Sequence, residues 1–330
     1  MRVVVTGGAG FLGSRLTQAL LQRGSVRSSD GEEHAIDELL VADIGPPAKP
    51  FAEDPRLEVR YGDFSEADAV NQLINRDTGA VFHLAAIVSG EAEQDFDKGL
   101  RVNLGGTHKI LQACRQQAAC PRLVFTSSVA VYGGDMPDVL DDSTPLTPQT
   151  SYGSQKAIGE LLVNDYSRKG FVDGRALRLP TIVVRPGKPN AAASSFASSV
   201  LREPLQGDTV DCPVSPKTGV WLLSPRRVVA CFLHAADLPA DAWGSNRSLA
   251  LPGMTVTVEE MMQALAKVAG EGVAARVRFE PDPFIEKIVY GWPTRFRTER
   301  AETMGFRADE RFEDVIEAFV EDDLGGEFVK

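Results

Sequence analysis

The chain is poor in cysteine. Its four cysteines, Cys114, Cys120, Cys212 and Cys231, form no CxxC pair and show no metal-ligand spacing. They read as reduced thiols, which excludes a disulfide framework and gives no sign of a structural or catalytic metal. Basic charge is also short, with 35 Lys and Arg against 46 Asp and Glu and a formal net charge of -11. That balance argues against nucleic acid or an anionic membrane as a partner, since both require a basic footprint. Long apolar runs are missing too: none approaches the ~18 to 20 residues that span a bilayer. Met1 to Val5 run straight into a strand-like segment with no leader-like apolar region or cleavage site, so a cytoplasmic setting is expected. A length of 330 residues allows one or two domains whose core needs no covalent staple.

In the first half, short runs rich in Val, Ile, Leu and Phe alternate with helix-length periodic segments. That alternation is the mark of βαβ units feeding a parallel sheet. Strands are expected at Arg2 to Thr6, Glu38 to Ala42, Leu57 to Tyr61, Ala80 to Leu84, Arg122 to Ser127 and Arg175 to Leu179. Leu12, Leu16 and Leu20 form a helical stripe closed by Gly24, which suits a left-handed C-terminal cap. The polar, acidic stretch from Ser25 to Asp37 reads as an inserted, mobile surface loop. After Pro180, proline and glycine punctuate the chain. Two helices then follow, Val258 to Ala269 with Thr257 and Glu260 in capping-box register, and roughly Arg311 to Leu324. The expected fold is α/β: a doubly wound Rossmann parallel sheet with a smaller mixed α/β C-terminal substrate region. Residues 1–180 would form the dinucleotide-binding domain, completed by parts of 220–250, and 181–330 would be mainly substrate-binding.

Thr6-Gly7-Gly8-Ala9-Gly10-Phe11-Leu12-Gly13 lies between the first strand and the first helix. Gly7 suits a tight turn, Gly10 a close backbone approach to a pyrophosphate, and Gly13 close helix-strand packing. The start of the helix at Phe11 and Leu12 offers N–H groups to phosphate oxygens. Asp43 ends the second long strand, where a carboxylate accepts from ribose hydroxyls and repels a 2'-phosphate. That favours NAD as cofactor. The inserted residues 25–37 account for its distance from Gly13.

Tyr152 and Lys156 stand four residues apart in Tyr-Gly-Ser-Gln-Lys, hence on one face of a helix. A phenol is a poor base at neutral pH, and a nearby ammonium favours its phenolate, so the pair can act as an acid/base. Upstream, Thr126-Ser127-Ser128 ends a strand at the carboxyl edge of the sheet, where open α/β folds bind ligands. With Asp63-Phe64, His83-Leu84-Ala85-Ala86 and Asn103, these motifs resemble the extended short-chain dehydrogenase/reductase family of NAD-dependent epimerases and dehydratases, over about the first 190 residues. The resemblance implies Tyr152 as catalytic acid/base and Lys156 as the group that lowers its pKa and holds the nicotinamide ribose. Ser128 would orient the substrate oxygen, with Ser127 beside it. It places Asp63 and Phe64 against the adenine, Leu84, Ala85 and Ala86 along the cofactor path, and Pro180, Thr181 and Ile182 at the carboxamide end. Asn103 belongs with the cofactor segment, more as a helix-positioning residue than as a direct catalyst. Family members pair through the helices after Asn103 and around Tyr152, so a homodimer is implied.

Dehydratases of this family carry Thr-Asp-Glu where this chain has Ser128-Val129-Ala130, so elimination is discounted. No counterpart of the uridine-binding pattern stands out in the C-terminal half, which favours a substrate smaller than a nucleotide sugar. Arg185, Lys188, Asn190 and Ser194, just after the nicotinamide segment, suit a carboxylate and hydroxyls. This region resembles the sugar-acid dehydrogenases of the family. The implied partner is a small anionic hydroxy acid, and the implied reaction is oxidation of the C2 hydroxyl of D-erythronate to the 2-keto acid. A nucleotide-sugar epimerase or reductase is the alternative, and a non-catalytic NAD-binding regulatory protein a minor one.

Overall fold

A computed structural model describes residues 1–64, 66–117, 120–188 and 193–330. The backbone divides into two compact units. The first holds Met1–Val131, Pro148–Arg178 and Val229–Leu249, and the second Tyr132–Thr147, Leu179–Val228 and Ala250–Lys330.

In chain order the elements through residue 179 run β1 (Arg2–Thr6), α1 (Phe11–Arg23), β2 (Ser25–Arg27), β3 (Glu33–Ala35), β4 (Glu38–Asp43), β5 (Leu57–Tyr61), α2 (Ala67–Leu73) and β6 (Thr78–His83). They continue with α3 (Ser89–Gln94), α4 (Phe96–Gly99), a π-helical turn (Leu100–Gly106), α5 (Thr107–Arg115), β7 (Arg122–Ser128), α6 (Ser151–Arg168) and β8 (Asp173–Leu179). The remaining segments are β9 (Thr181–Ile182), α7 (Ser195–Gln206), β10 (Val210–Cys212), β11 (Gly219–Leu223), α8 (Pro225–Asp237), β12 (Ser248–Ala250), β13 (Met254–Thr257) and α9 (Val258–Ala269). The chain ends with α10 (Glu271–Ala274), β14 (Val277–Phe279), α11 (Pro283–Val289), α12 (Glu299–Thr303) and α13 (Phe312–Asp323).

The main sheet has seven strands in the order β12-β8-β7-β6-β1-β4-β5. β1 pairs in parallel with both β4 and β6, and β4–β5 and β6–β7 are parallel as well. The chain therefore builds outward from β1 first on one side and then on the other, and the direction reverses at the carboxyl end of β1. A crevice opens at such a switch point. Strands buried on both faces read as continuous apolar runs, as in Val3, Val4 and Val5, which are fully buried. One face packs Val4, Leu40 and Val81 with Leu111, Leu123, Phe125 and Val163.

The stretch from 25 to 37, expected as a loop, is an antiparallel hairpin with Val26 opposite His34. Val26 supplies the buried contact that anchors it, and the Arg23 guanidinium fixes its base by bonding both oxygens of Asp237 at 2.8 Å. Val26 and Ile36, far apart in an otherwise polar stretch, give no periodic signal, which is why the strands were not legible.

In the second unit, β9 pairs with β11 in parallel and β11 with β13 antiparallel. α7, α9 and α13 enclose a core of Val200, Leu201, Met261, Leu265, Ile316 and Phe319. The Thr257–Glu260 capping box opens α9 as expected.

Across β7 and β8 lies a buried ionic cluster. Asp173 accepts from Arg122 and Arg175 at 3.1 and 2.9 Å and meets Arg247 at 3.4 Å. The same arginines donate to the carbonyls of Ala236 and Leu238. Burial pushes the Arg175 guanidinium down to about 10. One carboxylate thus compensates several buried guanidiniums, and removing one partner of such a pair costs about 3–5 kcal/mol. Asp173→Ala is expected to lose stability on that scale in urea unfolding, whereas truncating Glu33, the exposed partner of Arg23 at 3.5 Å, should change it by less than about 1 kcal/mol.

Candidate active site

At the switch point the backbone itself makes a cradle. Gly7 has φ +69, and a Cβ there would stand 2.7 Å from the Ala85 nitrogen. A Cβ at Gly13 would fall 2.0 Å from the Gly7 carbonyl oxygen, so α1 can approach β1 only with glycine there. Gly10, the N-cap of α1, contributes no side-chain cap. Phe11 and Leu12 therefore begin a helix with no side-chain cap at its start, an arrangement that suits an anionic pyrophosphate. Asp43 caps the turn: its Oδ2 accepts from the Ala9 and Gly10 N–H groups at 2.9 and 3.1 Å, and its Oδ1 from Ile44 at 2.7 Å. Around this cradle Leu84, Ala85 and Ala86 follow β6 half-exposed, with Phe64 half-exposed and Asp63 exposed after β5. Asp63 pairs with Arg101 at 3.0 Å. These groups fit a dinucleotide with a free 2'-hydroxyl.

The register places Thr6, His83 and Phe125 side by side at the carboxyl edge. His83 lies within 2.6 Å of Thr6 Oγ1 through Nδ1 and 3.0 Å of Thr107 Oγ1 through Nε2. Thr107 uses its one proton on the Asn103 carbonyl at 2.6 Å. It must therefore accept from Nε2–H, which assigns the tautomer and makes Thr6 the donor to Nδ1. Burial, with the nearby Lys156 charge, pushes His83 down to about 3. Asn103 sits inside the π-helical turn, a widening frequent at functional sites. Its amide bonds Ile87 N and O at 2.8 and 3.2 Å and Gln155 Oε1 at 2.8 Å. The side chain thus joins a loop to α6, a helix-positioning arrangement.

α6 begins at Ser151, capped by Thr150, whose hydroxyl accepts from Gly153 N at 3.1 Å. Gly153 lets this first turn lie on the turn after β7, since a Cβ there would come within 2.1 Å of the Ala130 carbonyl. Half-exposed Tyr152 is thereby brought against the segment that carries half-exposed Ser128. Ser128 Oγ accepts from Ala130 N at 3.1 Å. Lys156 is 3% exposed, donates to the Thr126 carbonyl at 2.7 Å, and holds its ammonium 5.6 Å from the centre of the Tyr152 ring. Burial pushes it down to about 7, opposed by the charge of Glu160.

Ser127 requires a correction. Successive strand residues point to opposite faces, so Ser127 and Ser128 cannot both face a substrate. Ser127 points into the helix-sheet core, 2% exposed, and donates to Glu160 at 2.5 Å. No sequence motif singles out Glu160 or its partner Arg178. The available signal was the spacing of Tyr152, Lys156 and Glu160, each four residues apart.

The second unit contains the other expected residues. Pro180 is buried, Thr181 and Ile182 form β9, Arg185 and Ser194 are half-exposed and Lys188 exposed. The backbone of Arg185 is clamped to α7: its N–H donates to Ser198 Oγ at 3.0 Å and its carbonyl accepts from Arg202 at 2.7 Å. Asn190 lies outside the described residues. Arg226, at the start of α8, is committed to Asp322 and Glu321. Among the described residues no cluster of His, Cys, Asp and Glu could hold a metal ion, and no helix is long and apolar enough to cross a membrane.

A glycine cradle capped by Asp43, a Tyr-Lys helix and a serine at the strand end define a dinucleotide-dependent oxidoreductase site. The model of the NAD dependent epimerase/dehydratase family matches residues 3–238, and the chain belongs to that family, with NAD as its cofactor. Over 98% of both chains it is 53% identical to D-erythronate dehydrogenase of Cupriavidus necator. The enzyme of that name from Haemophilus influenzae is 47% identical over 98% of this chain and all of its own. A solved structure from Agrobacterium tumefaciens, described as a nucleoside-diphosphate-sugar epimerase, superposes with a TM-score of 0.93 at 43% identity, covering 99% of this chain and 95% of that one.

The His83 site predicts a pH dependence of stability. With a folded-state value near 3 against 6.5, the unfolded chain binds the extra proton between those limits. The contribution of neutral His83 is therefore full above about pH 6.5 and is lost as pH falls toward 3, by at most about 1.4 kcal/mol per pH unit. Urea unfolding at pH 7, 5.5 and 4.5 should show this slope reduced in His83→Asn.

Proposed function

We propose that the chain oxidises the C2 hydroxyl of D-erythronate, with NAD supplying the hydride-accepting carbon. The observation that carries this reading is the near full-length identity with two D-erythronate dehydrogenases, 53% and 47%. In this reading residues 1–180, with parts of 220–250, bind NAD and the rest mainly bind substrate.

Ser128 accepts or donates a hydrogen bond at the reacting oxygen and fixes its position. Tyr152, as phenolate, removes the hydroxyl proton while the C2 hydrogen departs as hydride, so the carbon is oxidised by two electrons and becomes a ketone. Lys156 keeps a positive charge beside the phenol, which favours the phenolate, and also holds the nicotinamide ribose. Gly7, Gly10, Phe11, Leu12 and Gly13 seat the pyrophosphate, Asp43 the adenosine ribose, Asp63 and Phe64 the adenine. Leu84, Ala85 and Ala86 line the cofactor path and Pro180, Thr181 and Ile182 meet the carboxamide end. Arg185, Lys188, Asn190 and Ser194 are the candidate contacts for the carboxylate and remaining hydroxyls.

The name borne by the Agrobacterium tumefaciens structure favours a second reading, a nucleotide-sugar epimerase. An epimerase regenerates its NAD, whereas a dehydrogenase consumes it in proportion to substrate. Absorbance at 340 nm with NAD and D-erythronate should rise stoichiometrically. Tyr152→Phe should lower the rate by about 10²–10⁴-fold. Tight NAD binding with no turnover of any sugar acid, but interconversion of a nucleotide sugar, would move the assignment to the second reading.

A homodimer in a reducing compartment such as the cytoplasm completes this reading. Leu161 and Ile158 of α6 are 66% and 42% exposed, and Phe96 and Leu100 are exposed nearby on α4 and the π-helical turn. Apolar exposure of this kind supports reading this face as the association surface. Leu161→Arg is expected to convert a dimer to a monomer in light scattering, with the circular dichroism spectrum unchanged.

A further inference from the structure

α6 carries three functional groups in a line: Tyr152, Lys156 and Glu160, four residues apart and therefore on one helical face. The third is a carboxylate only 2% exposed. We propose that Glu160 is a positioning residue that acts through Lys156, serving as the fixed counter-charge that keeps its ammonium protonated and so sets the lower pH limit of activity. This rests on Tyr152 and Lys156 being the acid/base pair of the reading above.

Glu160 cannot turn away. Arg178 of β8 donates to it through Nε at 3.0 and 3.1 Å and through Nη2 at 2.7 Å, and Ser127 of β7 donates at 2.5 Å. Lys156 is faced from β7 by the Thr126 carbonyl and the Phe125 ring. From β6 it is faced by His83, which is neutral at working pH. The π-helical turn packed on α6 carries the uncharged Asn103, which bonds Gln155 of α6. On its own helix the titratable neighbours are Tyr152 and Glu160. Burial opposes the ammonium, and Glu160 is the charge that supports it. A neutral group at 160 removes that support and also leaves the buried Arg178 cation uncompensated, and both effects push Lys156 toward the amine. Without the ammonium beside it, the phenol of Tyr152 ionises only at higher pH.

If the Glu160–Arg178 pair merely holds the fold, its loss lowers stability and the height of the activity plateau but leaves the pH of half-activity where it was. The pH profile of kcat/KM therefore separates the two roles. In wild type, Glu160→Gln, Glu160→Asp, Ser127→Ala and the double variant Glu160→Gln/Arg178→Gln, NADH production from NAD and D-erythronate is measured from pH 5.5 to 10. Alongside, Lys156 is titrated by NMR on protein labelled at lysine Cε, its signal assigned by its absence in Lys156→Met. Glu160→Gln should raise the acid limb by about one pH unit, roughly tenfold in kcat/KM below it, with activity recovering at higher pH. The Lys156 midpoint should move down by a similar amount. Ser127→Ala should show the same signs with a smaller shift, and Glu160→Asp should restore much of the wild-type limb. An unmoved limb with a lower plateau, or an unmoved Lys156 midpoint, overturns the proposal. The double variant buries no unpaired cation, so it and Ser127→Ala decide the question if Glu160→Gln fails to fold. The NMR titration needs no substrate, so inactivity of the wild type on D-erythronate would sink the functional reading and leave this one to be decided by Lys156 itself.

Discussion

Everything at the catalytic edge depends on how closely α6 lies against the carboxyl end of β7. Two glycines of that helix make the approach. A Cβ at Gly153 would meet the Ala130 carbonyl at 2.1 Å, and one at Gly159 would meet the Phe125 ring at 2.8 Å. Because the helix sits this deep, Lys156 reaches the Thr126 carbonyl and is sealed from water. A charge in low dielectric acts on its neighbours far more strongly than one in solvent. The same burial makes the ammonium expensive, and the structure offsets this with a backbone acceptor, an aromatic face and one carboxylate rather than with solvent.

The cofactor edge obeys the same logic in backbone rather than side chains. The chain reverses its direction of building at β1, which leaves the end of that strand without a covering connection. Glycines at 7, 10 and 13 then keep that opening clear, and Asp43 ties the turn to β4 by accepting two of its N–H groups. Threonine hydroxyls on either side of His83 carry the order across β6 to the π-helical turn and Asn103. The cradle and the Tyr-Lys helix are thus joined through a neutral polar chain, and Gln155 closes it onto α6.

The elements legible in the sequence were those whose signals are local. β1, β5, α1 with its Gly24 cap and α9 with its capping box follow from apolar period, glycine and cap chemistry, and each lies within a residue or two of where those signals put it. The glycine turn, Ser128, Tyr152 and Lys156 were legible for the same reason, because their spacing is fixed along the chain. What escaped was non-local. The hairpin at 25–35 is held from afar by Arg122, which donates to the Arg27 carbonyl across 95 positions, and the commitment of Ser127 depends on Glu160, 33 positions on. Strand alternation alone would have separated Ser127 from Ser128, but only the packing of α6 says which face of β7 is the interior.

That distinction also explains why buried charge is handled differently at the two ends of the main sheet. At the amino ends of β7 and β8, Asp173 gathers Arg122, Arg175 and Arg247, guanidiniums whose planar forks also reach carbonyl oxygens. Each of them is tied to Asp173, and Arg122 and Arg175 also to a carbonyl, so the cluster binds elements together. At the carboxyl ends a buried lysine stands beside the Glu160–Arg178 pair, and its ammonium yields to burial and settles near neutrality. A group poised there can exchange its influence with a phenol during proton transfer, which an arginine in the same place could not do. The fold therefore holds rigid charge where it needs cohesion and titratable charge where it needs chemistry.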